Sequence, residues 1–150
     1  MKRGNKAAVL TKQNKSLLFC DVNIPKLSDG YVLVKMKYSG ICHTQLNEIS
    51  GILGKDKFLP HCIGHEGVGQ IIQKGKNVKG FKKGDLVVVS WVKSKIQKKY
   101  MPIYFDSKGK KINTGGCNTL VKYSVVSDNR IFKINKKKNK YLRESVLLGC

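Results

Sequence analysis

The sequence has few acidic side chains, and this shortage sets the charge of the whole chain. Nine Asp and Glu residues stand against 30 Lys and Arg, which gives a formal net charge of +21 at pH 7. Such an excess is compatible with binding to nucleic acid or to an acidic membrane surface. Arginine is also scarce, since it occurs only at Arg3, Arg130 and Arg143. Nucleic-acid recognition relies on arginine forks and adjacent aromatic rings, so the scattered lysines favour a biased composition over such a partner.

The sequence also lacks long apolar runs and an even set of cysteines. No segment approaches the ~20 apolar residues of a membrane span, and the charged N-terminus MKRGNKAAVLTKQNK has no apolar signal core. The cysteines are five, an odd number: Cys20, Cys42, Cys62, Cys117 and Cys150. Without an export signal, this count argues against a disulfide framework. We therefore expect a cytoplasmic protein, in which a cysteine near a histidine is a metal ligand or a packed thiol.

The apolar residues that are present follow the pattern of strands. With 150 residues, of which 41% are hydrophobic, the chain can bury the core of one domain. Alternation places Val32, Val34 and Met36 on one face of a strand. Helical candidates are short and lie at residues 43–50 and 140–149, and the polar segment 93–114 predicts an inserted loop or hairpin. Many short strands between glycines predict a mainly β fold, either a partly open barrel or a sandwich.

Two polar motifs, GICHTQ and GHEGVG, carry residues that can bind a metal. Cys42 and His65 are 23 residues apart, and each stands near a glycine at a strand end. A thiolate and an imidazole suit Zn²⁺, which takes four ligands. Glu66 can be a ligand, a group behind the ligands or a bystander, and Cys150 is a candidate third ligand. Spacing alone leaves a purely structural role for this cysteine and histidine open.

Four motifs in order resemble the zinc-containing alcohol dehydrogenases of the medium-chain dehydrogenase/reductase superfamily. Residues 64–78 read Gly-His-Glu, two residues, Gly, five residues, Gly, two residues, Val. GICHTQ resembles the family's first ligand turn, GFKKGDLVVV its turn into a barrel strand, and ESVLLGC the segment with its third zinc ligand. The resemblance implies a mainly β, GroES-like, partly open barrel with short helices. The domain would be the N-terminal catalytic domain, residues 1–150, ending at the third ligand.

The resemblance also implies a set of site residues. One catalytic zinc ion would have as ligands Cys42, His65 and Cys150. Zinc would act as a Lewis acid, so that hydride moves between an alcohol and NAD(P). Thr44 matches the hydroxyl that relays the substrate proton, and Glu66 would lie behind the metal, as a transient ligand or as a partner of the ligands. His43 would lie near the cofactor pyrophosphate, or else be a solvated residue at a helix start.

The sequence departs from the family pattern at several positions. Only Cys117 occurs where many relatives carry four closely spaced cysteines, so we expect no structural zinc. Gln45 replaces a common Asp that orients the zinc-bound histidine, although its amide oxygen can accept the same hydrogen bond. Asn47 stands where some relatives have a proton-relaying histidine. We interpret His61 and Cys62 as packing residues, although His61 could line the substrate cleft.

The family's cofactor-binding Rossmann domain has no counterpart in the sequence. GHEGVG does not have the GxGxxG spacing of a dinucleotide-binding turn. We therefore expect the catalytic half of an enzyme for alcohol and carbonyl interconversion on a small-molecule substrate. It would need a cofactor-binding domain that is missing here, and alone it would not be competent for turnover. The chain would be a fragment, half of a split gene product or a remnant.

Three other functions are compatible with parts of the sequence. A non-catalytic GroES-like remnant or binding domain would keep the fold without turnover. A surface binder of nucleic acid would depend on the basic run at residues 133–140, which is otherwise a solvated loop. A zinc-free relative of the quinone reductases would lack the two cysteines and the histidine that this chain keeps. No feature of the sequence indicates a membrane partner.

Overall fold

The computed structural model describes residues 4–92, 101–134 and 141–149. Residues 93–100 of the predicted insertion, most of the basic run and Cys150 lie outside the described residues. The strands, in chain order, are β1 (Asn5–Leu10), β2 (Leu18–Val22), β3 (Tyr31–Ser39), β4 (His61–Cys62), β5 (Glu66–Lys74), β6 (Leu86–Ser90), β7 (Tyr104–Phe105), β8 (Lys111–Ile112), β9 (Tyr123–Ser127) and β10 (Ile131–Lys133). Among the described residues, no helix combines the length and the apolar character that crossing a membrane requires.

The strands form antiparallel sheets, and the predicted mainly β fold is confirmed. A five-stranded sheet has the order β10-β6-β5-β3-β9, and a three-stranded sheet has the order β2-β1-β4. The strands β7 and β8 pair as a small hairpin inside the predicted insertion. The long central strands β3 and β5 pair along most of their length, with register shifts at two places. This pairing brings the end of β3 next to the start of β5.

The core lies on both faces of the five-stranded sheet. Val32 and Val34 are buried, with Met36 packed beside them, as the alternation predicts. Their cluster also contains apolar side chains of the neighbouring strands: Ile71, Val87, Val89, Val126 and Ile131. The opposite face of β3 is buried at Leu33, which packs with Tyr123 and Val125 of β9. Burial on both faces holds β3 and β5 firmly at the centre of the domain.

The predicted first helix is confirmed as an α-helix, whereas the predicted last helix is shorter than expected and is not an α-helix. The α-helix α1 (His43–Ser50) has the predicted bounds and ends at Gly51, whose φ of 75° only glycine adopts readily. Near the end of the chain, residues Glu144–Gly149 form a 3-10 helix instead. So short a segment makes few α-helical hydrogen bonds, too few to offset the cost of starting a helix. Its Val146 is nevertheless buried against Val68 of β5.

A buried carboxylate joins β6 to β10. The Asp85 side chain is only 4% exposed, and its Oδ2 lies 2.9 Å from Nζ of Lys133. The backbone N–H of Lys82 donates to the same oxygen at 2.9 Å. Burial alone would raise the pKa of Asp85, but the charge and hydrogen bond of Lys133, with the bond from Lys82, outweigh burial and lower it. Folding therefore stabilises the ionised carboxyl.

We expect Asp85→Asn to lower the free energy of unfolding at pH 7 by about 1.5–3 kcal/mol, the range for hydrogen bonds to charged groups. Because the folded pKa lies below the usual 3.8, the stabilisation is complete above pH ~5 and is lost as pH falls through the folded pKa. Urea unfolding at pH 7 and pH ~3 measures both effects, and the difference between the two proteins should shrink at the lower pH.

The matched control is Asp21→Asn, which removes another Asp–Lys pair. Asp21 lies 2.6 Å from Lys6, but both side chains are exposed, at 49% and 71%. The cost should stay below about 1 kcal/mol. Equal losses in the two variants, or a loss at Asp85 that does not depend on pH, would contradict the role assigned to Asp85.

Candidate metal centre

The fold brings together Cys42 and His65. Cys42 is the residue before α1, three residues after the end of β3, and His65 immediately precedes β5. Their side chains meet with Sγ of Cys42 3.0 Å from Nε2 of His65. Both residues are half-buried. Because β3 and β5 pair next to each other, the meeting of the two motifs follows from the strand pairing.

The backbone carbonyl of Glu66 fixes the place where the two motifs meet. It accepts hydrogen bonds from the backbone N–H of Gly40 at 3.1 Å and from the hydroxyls of Ser39 at 3.2 Å and Thr119 at 3.0 Å. The two hydroxyls also lie 2.8 Å from each other. One oxygen thus ties the end of β3, the start of β5 and the segment before β9. A network of this kind restricts where Cys42 and His65 can move.

Two glycines beside the site are required by space. Gly64 has a φ of +103°, and a Cβ there would lie 2.6 Å from the backbone nitrogen of Leu120. Gly40 faces Glu66, and a Cβ on Gly40 would lie 2.5 Å from Oε1 of that carboxylate. The glycines therefore let the chain pass close to the ligand residues and leave room for the Glu66 side chain.

Glu66 completes the group of potential ligands. Its residue is only 6% exposed, and one carboxylate oxygen, Sγ of Cys42 and Nε2 of His65 lie within 4.8 Å of one another. Thiolate, imidazole and carboxylate are all ligands that Zn²⁺ accepts. Zinc bonds of about 2.3 Å to sulfur and about 2.0 Å to nitrogen put these atoms about 3.5 Å apart in a tetrahedral site. The observed 3.0 Å needs only a small opening, so the residues fit zinc.

Gln45 acts on Cys42 and not on the histidine. The residue is fully buried, and its Oε1 accepts the backbone N–H of Cys42 at 2.9 Å. Its Nε2 has no hydrogen-bond partner among the described residues. The hydrogen bond is used to start α1, because the first N–H groups of a helix lack partners within it. Gln45 thereby orients the backbone that carries the Cys42 thiol.

The other predicted site residues lie at different distances from this centre. His43 and Thr44 are exposed on the first turn of α1, directly after Cys42. Cys150 lies outside the described residues. Cys117 is beside the centre, where its thiol donates to the backbone carbonyl of His65 at 3.7 Å. Burial raises the pKa of Cys117 to about 12, against the opposing effect of Arg130, and the thiol is outside the group of ligand atoms that converge.

His61 has contacts that the sequence did not predict, whereas Cys62 packs as expected. Cys62 is buried against apolar neighbours, and this burial raises its pKa to about 12. His61 instead has Nε2 2.7 Å from Oδ2 of Asp56 and 3.6 Å from Oε1 of Glu48. A cavity of about 380 Å³ is lined by both His61 and His65. Glu48, Asp56 and His61 belong to no common sequence motif. The only feature of the sequence that could have drawn attention to the two carboxylates is that acidic residues are rare.

Comparison with known proteins agrees with this architecture. Residues 28–136 match the family described as the alcohol dehydrogenase GroES-like domain. The chain is 42% identical over 93 residues to an NAD-dependent alcohol dehydrogenase of Sulfolobus acidocaldarius, an alignment that covers 58% of this chain and 27% of that protein. It is 43% identical over 89 residues to an alcohol dehydrogenase of Geobacillus stearothermophilus, with 59% and 26% covered.

Solved structures share the fold over nearly the whole chain. An alcohol dehydrogenase zinc-binding domain protein from Burkholderia ambifaria superposes with a TM-score of 0.85 at 22% identity, covering 99% of this chain and 46% of that one. Benzyl alcohol dehydrogenase from Acinetobacter calcoaceticus gives a TM-score of 0.79 at 24% identity, covering 99% and 45%.

These matches define the chain first as a GroES-like β domain, so that the predicted fold is confirmed. Because the family match spans most of its length, the chain belongs to the alcohol dehydrogenase GroES-like domain family. The chain spans about a quarter of the length of the two sequence relatives and just under half of each solved structure.

We expect Gly64→Ala to lower the free energy of unfolding by at least about 2 kcal/mol, because an alanine there meets both an unfavourable φ and the backbone of Leu120. Gly54→Ala is the matched control, since its φ of +97° is similar but a Cβ would meet nothing within 4 Å. Urea unfolding compares the two variants. Equal losses would show that the close approach at Gly64 has no energetic weight.

Proposed function

We propose that this domain is the zinc-binding catalytic half of an alcohol dehydrogenase-like oxidoreductase, which interconverts alcohols and carbonyl compounds with NAD(P). The observation that carries the proposal is the 3.0 Å approach of Cys42 to His65, with the Glu66 carboxylate beside them. The names of the relatives support it, since both are alcohol dehydrogenases and one is NAD-dependent. Another structure of this fold was solved in complex with NADP(H).

Cys42 and His65 would hold the zinc ion, with Cys150 as the third protein ligand. When bound, zinc supplies a Lewis acid that polarises a carbonyl or lowers the pKa of an alcohol. The 3-10 helix Glu144–Gly149 ends one residue before Cys150, and it packs through Val146 onto β5, the strand that follows His65. This packing supports a ligand at the next position. The proposal includes no structural zinc of the four-cysteine kind, because only Cys117 occurs where many relatives carry four closely spaced cysteines.

The remaining site residues are assigned to proton transfer, to the space behind the zinc ligands and to contact with the cofactor. Thr44 follows the ligand cysteine by two positions, and its exposed hydroxyl can both accept a proton from a substrate and donate one to solvent. The Glu66 side chain occupies the space that Gly40 leaves free and lies close to both ligands, where it would be an occasional ligand or a charge behind them. His43, also exposed, would contact the cofactor phosphates.

The partners implied are a small alcohol or carbonyl compound and a cofactor-binding domain like that of the full-length relatives. A reducing compartment, the cytoplasm, suits the cysteines, which are all free among the described residues. The alternative is a GroES-like domain without turnover. Its specific support is that 3.0 Å is also the distance of a direct hydrogen bond between Cys42 and His65, which a domain without metal would keep.

Zinc content separates these two functions. We expect the double variant Cys42→Ser, His65→Ala to contain about one zinc per chain less than the unchanged protein, because both bring ligands that zinc prefers. Mass spectrometry of the purified proteins measures the metal, and circular dichroism checks the fold. Cys20→Ser is the control, because Cys20 packs against an apolar core cluster that contains neither Cys42 nor His65. Zinc contents that do not differ would favour the domain without turnover.

Turnover is tested by joining the chain to the cofactor domain of the Geobacillus stearothermophilus relative. In this fusion we expect alcohol-dependent reduction of NAD⁺ or NADP⁺, followed by absorbance. Thr44→Val should lower kcat/KM by roughly 10²–10⁴, the usual contribution of a positioned proton-transfer group, whereas Thr44→Ser should retain most of it. A fusion that holds zinc and binds cofactor without transferring hydride would refute the catalytic proposal.

A further inference from the structure

We propose that Glu48, Asp56 and His61 form a second site for a divalent cation, beside the Cys42–His65 centre. One carboxylate oxygen of each acid and a ring nitrogen of the histidine lie within 4.8 Å of one another. The closest pairs join His61 Nε2 to Asp56 Oδ2 at 2.7 Å and to Glu48 Oε1 at 3.6 Å. One imidazole with two carboxylates suits Zn²⁺ or a similar first-row divalent ion.

The second ring nitrogen of His61 supports this assignment. Nδ1 lies 3.1 Å from the backbone carbonyl oxygen of Cys62. A carbonyl can only accept, so this contact places a proton on Nδ1, and in the neutral imidazole Nε2 then carries the lone pair. A cation bound to that lone pair would take the place of the hydrogen bond at 2.7 Å between Nε2 and Oδ2 of Asp56, and zinc bonds of about 2.0 Å would open this distance to about 3.3 Å. Histidines that bind metals are commonly held in this way, with the other N–H donated to a backbone carbonyl.

Burial makes the negative charge of Asp56 costly, and Glu48 adds a second carboxylate that is partly exposed. The side chains of His61 and Asp56 are only 9% and 10% exposed, and that of Glu48 is 37% exposed. Buried carboxylates need a partner of opposite charge. Although the chain has 30 basic residues, neither carboxylate forms an ion pair with a lysine or arginine within the part that the structure describes. A divalent cation would balance the two charges.

Hydrogen bonds between side chains and the backbone hold the loop with Asp56 against the helix with Glu48. The Oδ1 atom of Asp56 accepts the N–H of Phe58 at 2.7 Å, which leaves Oδ2 for the cluster. Gln13 joins the loop to α1: its Oε1 accepts the N–H of Asp56 at 3.1 Å, and its Nε2 donates to the carbonyls of Gly54 at 2.9 Å and Glu48 at 3.4 Å. The loop with Asp56 and the helix with Glu48 are therefore tied together independently of any ion.

The two centres face the same space. Glu48, His61 and His65 all line the cavity of about 380 Å³, whose remaining wall includes Met101, Pro102 and Ile103. A cation held by His61 would therefore face the same cavity as His65 of the first centre. This inference stands on its own ligands, so it does not depend on whether the first centre performs hydride transfer.

Cobalt titration of the metal-free full chain tests the proposal, because a thiolate ligand gives Co²⁺ a charge-transfer absorption that nitrogen and oxygen ligands do not. We expect about two Co²⁺ per chain. The double variant Glu48→Gln, Asp56→Asn should lose about one equivalent and keep the charge-transfer band. Cys42→Ser should weaken the band, which Cys150 alone would then supply, and still bind at the second site. Asp21→Asn, Asp29→Asn, with the same change of charge, should retain both.

Two results would overturn the second site. One is binding of about one Co²⁺ per chain with a full charge-transfer band, which would mean that a proton on Nε2 of His61 joins the cluster as an ion pair. The other is binding of about two Co²⁺ that both persist in the Glu48→Gln, Asp56→Asn variant.

If that variant fails to fold by circular dichroism, Glu48→Gln alone serves, since Glu48 is the most exposed of the three ligands. This single variant should weaken the binding of the second equivalent at least tenfold. Absence of the band with one equivalent still bound would refute the first centre and leave the second.

Discussion

The backbone carbonyl of Glu66 is the point on which the arrangement of the site depends. Its donors come from Ser39 and Gly40, at the end of β3, and from Thr119 before β9. Since Cys42 follows Gly40 by two residues and His65 precedes Glu66 by one, these bonds limit how far apart the thiol and the imidazole can be. Gly64 and Gly40 permit the close approach because any side chain there would occupy the space of the partner segment. The meeting of the thiol and the imidazole thus follows from hydrogen bonds and glycines before any ligand is considered.

Much of the fold was predictable, because local patterns specify local structure. The alternating apolar residues of β3 and the bounds of α1, which ends at Gly51, were both visible in the sequence. The type of the last helix could not be predicted, since apolar periodicity over so few residues does not distinguish an α-helix from a 3-10 helix. Spacing could not show that Cys42 meets His65. The family resemblance predicted that the two residues meet, because it implies a known order of strands, which the spacing of residues does not.

The Glu48, Asp56 and His61 cluster could not be predicted for a physical reason. Its members come from α1, a loop and β4, and the distances between them depend on backbone bonds such as those of Gln13. None of these bonds leaves a periodic trace in the sequence. The same limit applies to Gln45. The sequence indicated that its amide oxygen accepts a hydrogen bond from His65, but in the structure this oxygen accepts the backbone N–H of Cys42.

Four of the nine acidic residues lie where the structure gives their charge a specific environment. Three of the nine, Glu48, Asp56 and Glu66, belong to the two groups of potential metal ligands, and a fourth, Asp85, is a buried partner of Lys133. The excess of lysine is compatible with a solvated surface, since lysine heads stay in water. The negative charge that the chain retains is placed where a cation or a backbone N–H can meet it.

X-ray absorption at the zinc edge, on the chain loaded with one equivalent of zinc, tests most directly whether Cys42 and His65 bind a metal together. Sulfur and nitrogen scatter differently, and their bonds to zinc differ in length. The arrangement of the site predicts a mixed shell, with sulfur at about 2.3 Å and nitrogen at about 2.0 Å. A shell of nitrogen and oxygen without sulfur would contradict it, because the Cys42 thiolate would then not be a ligand.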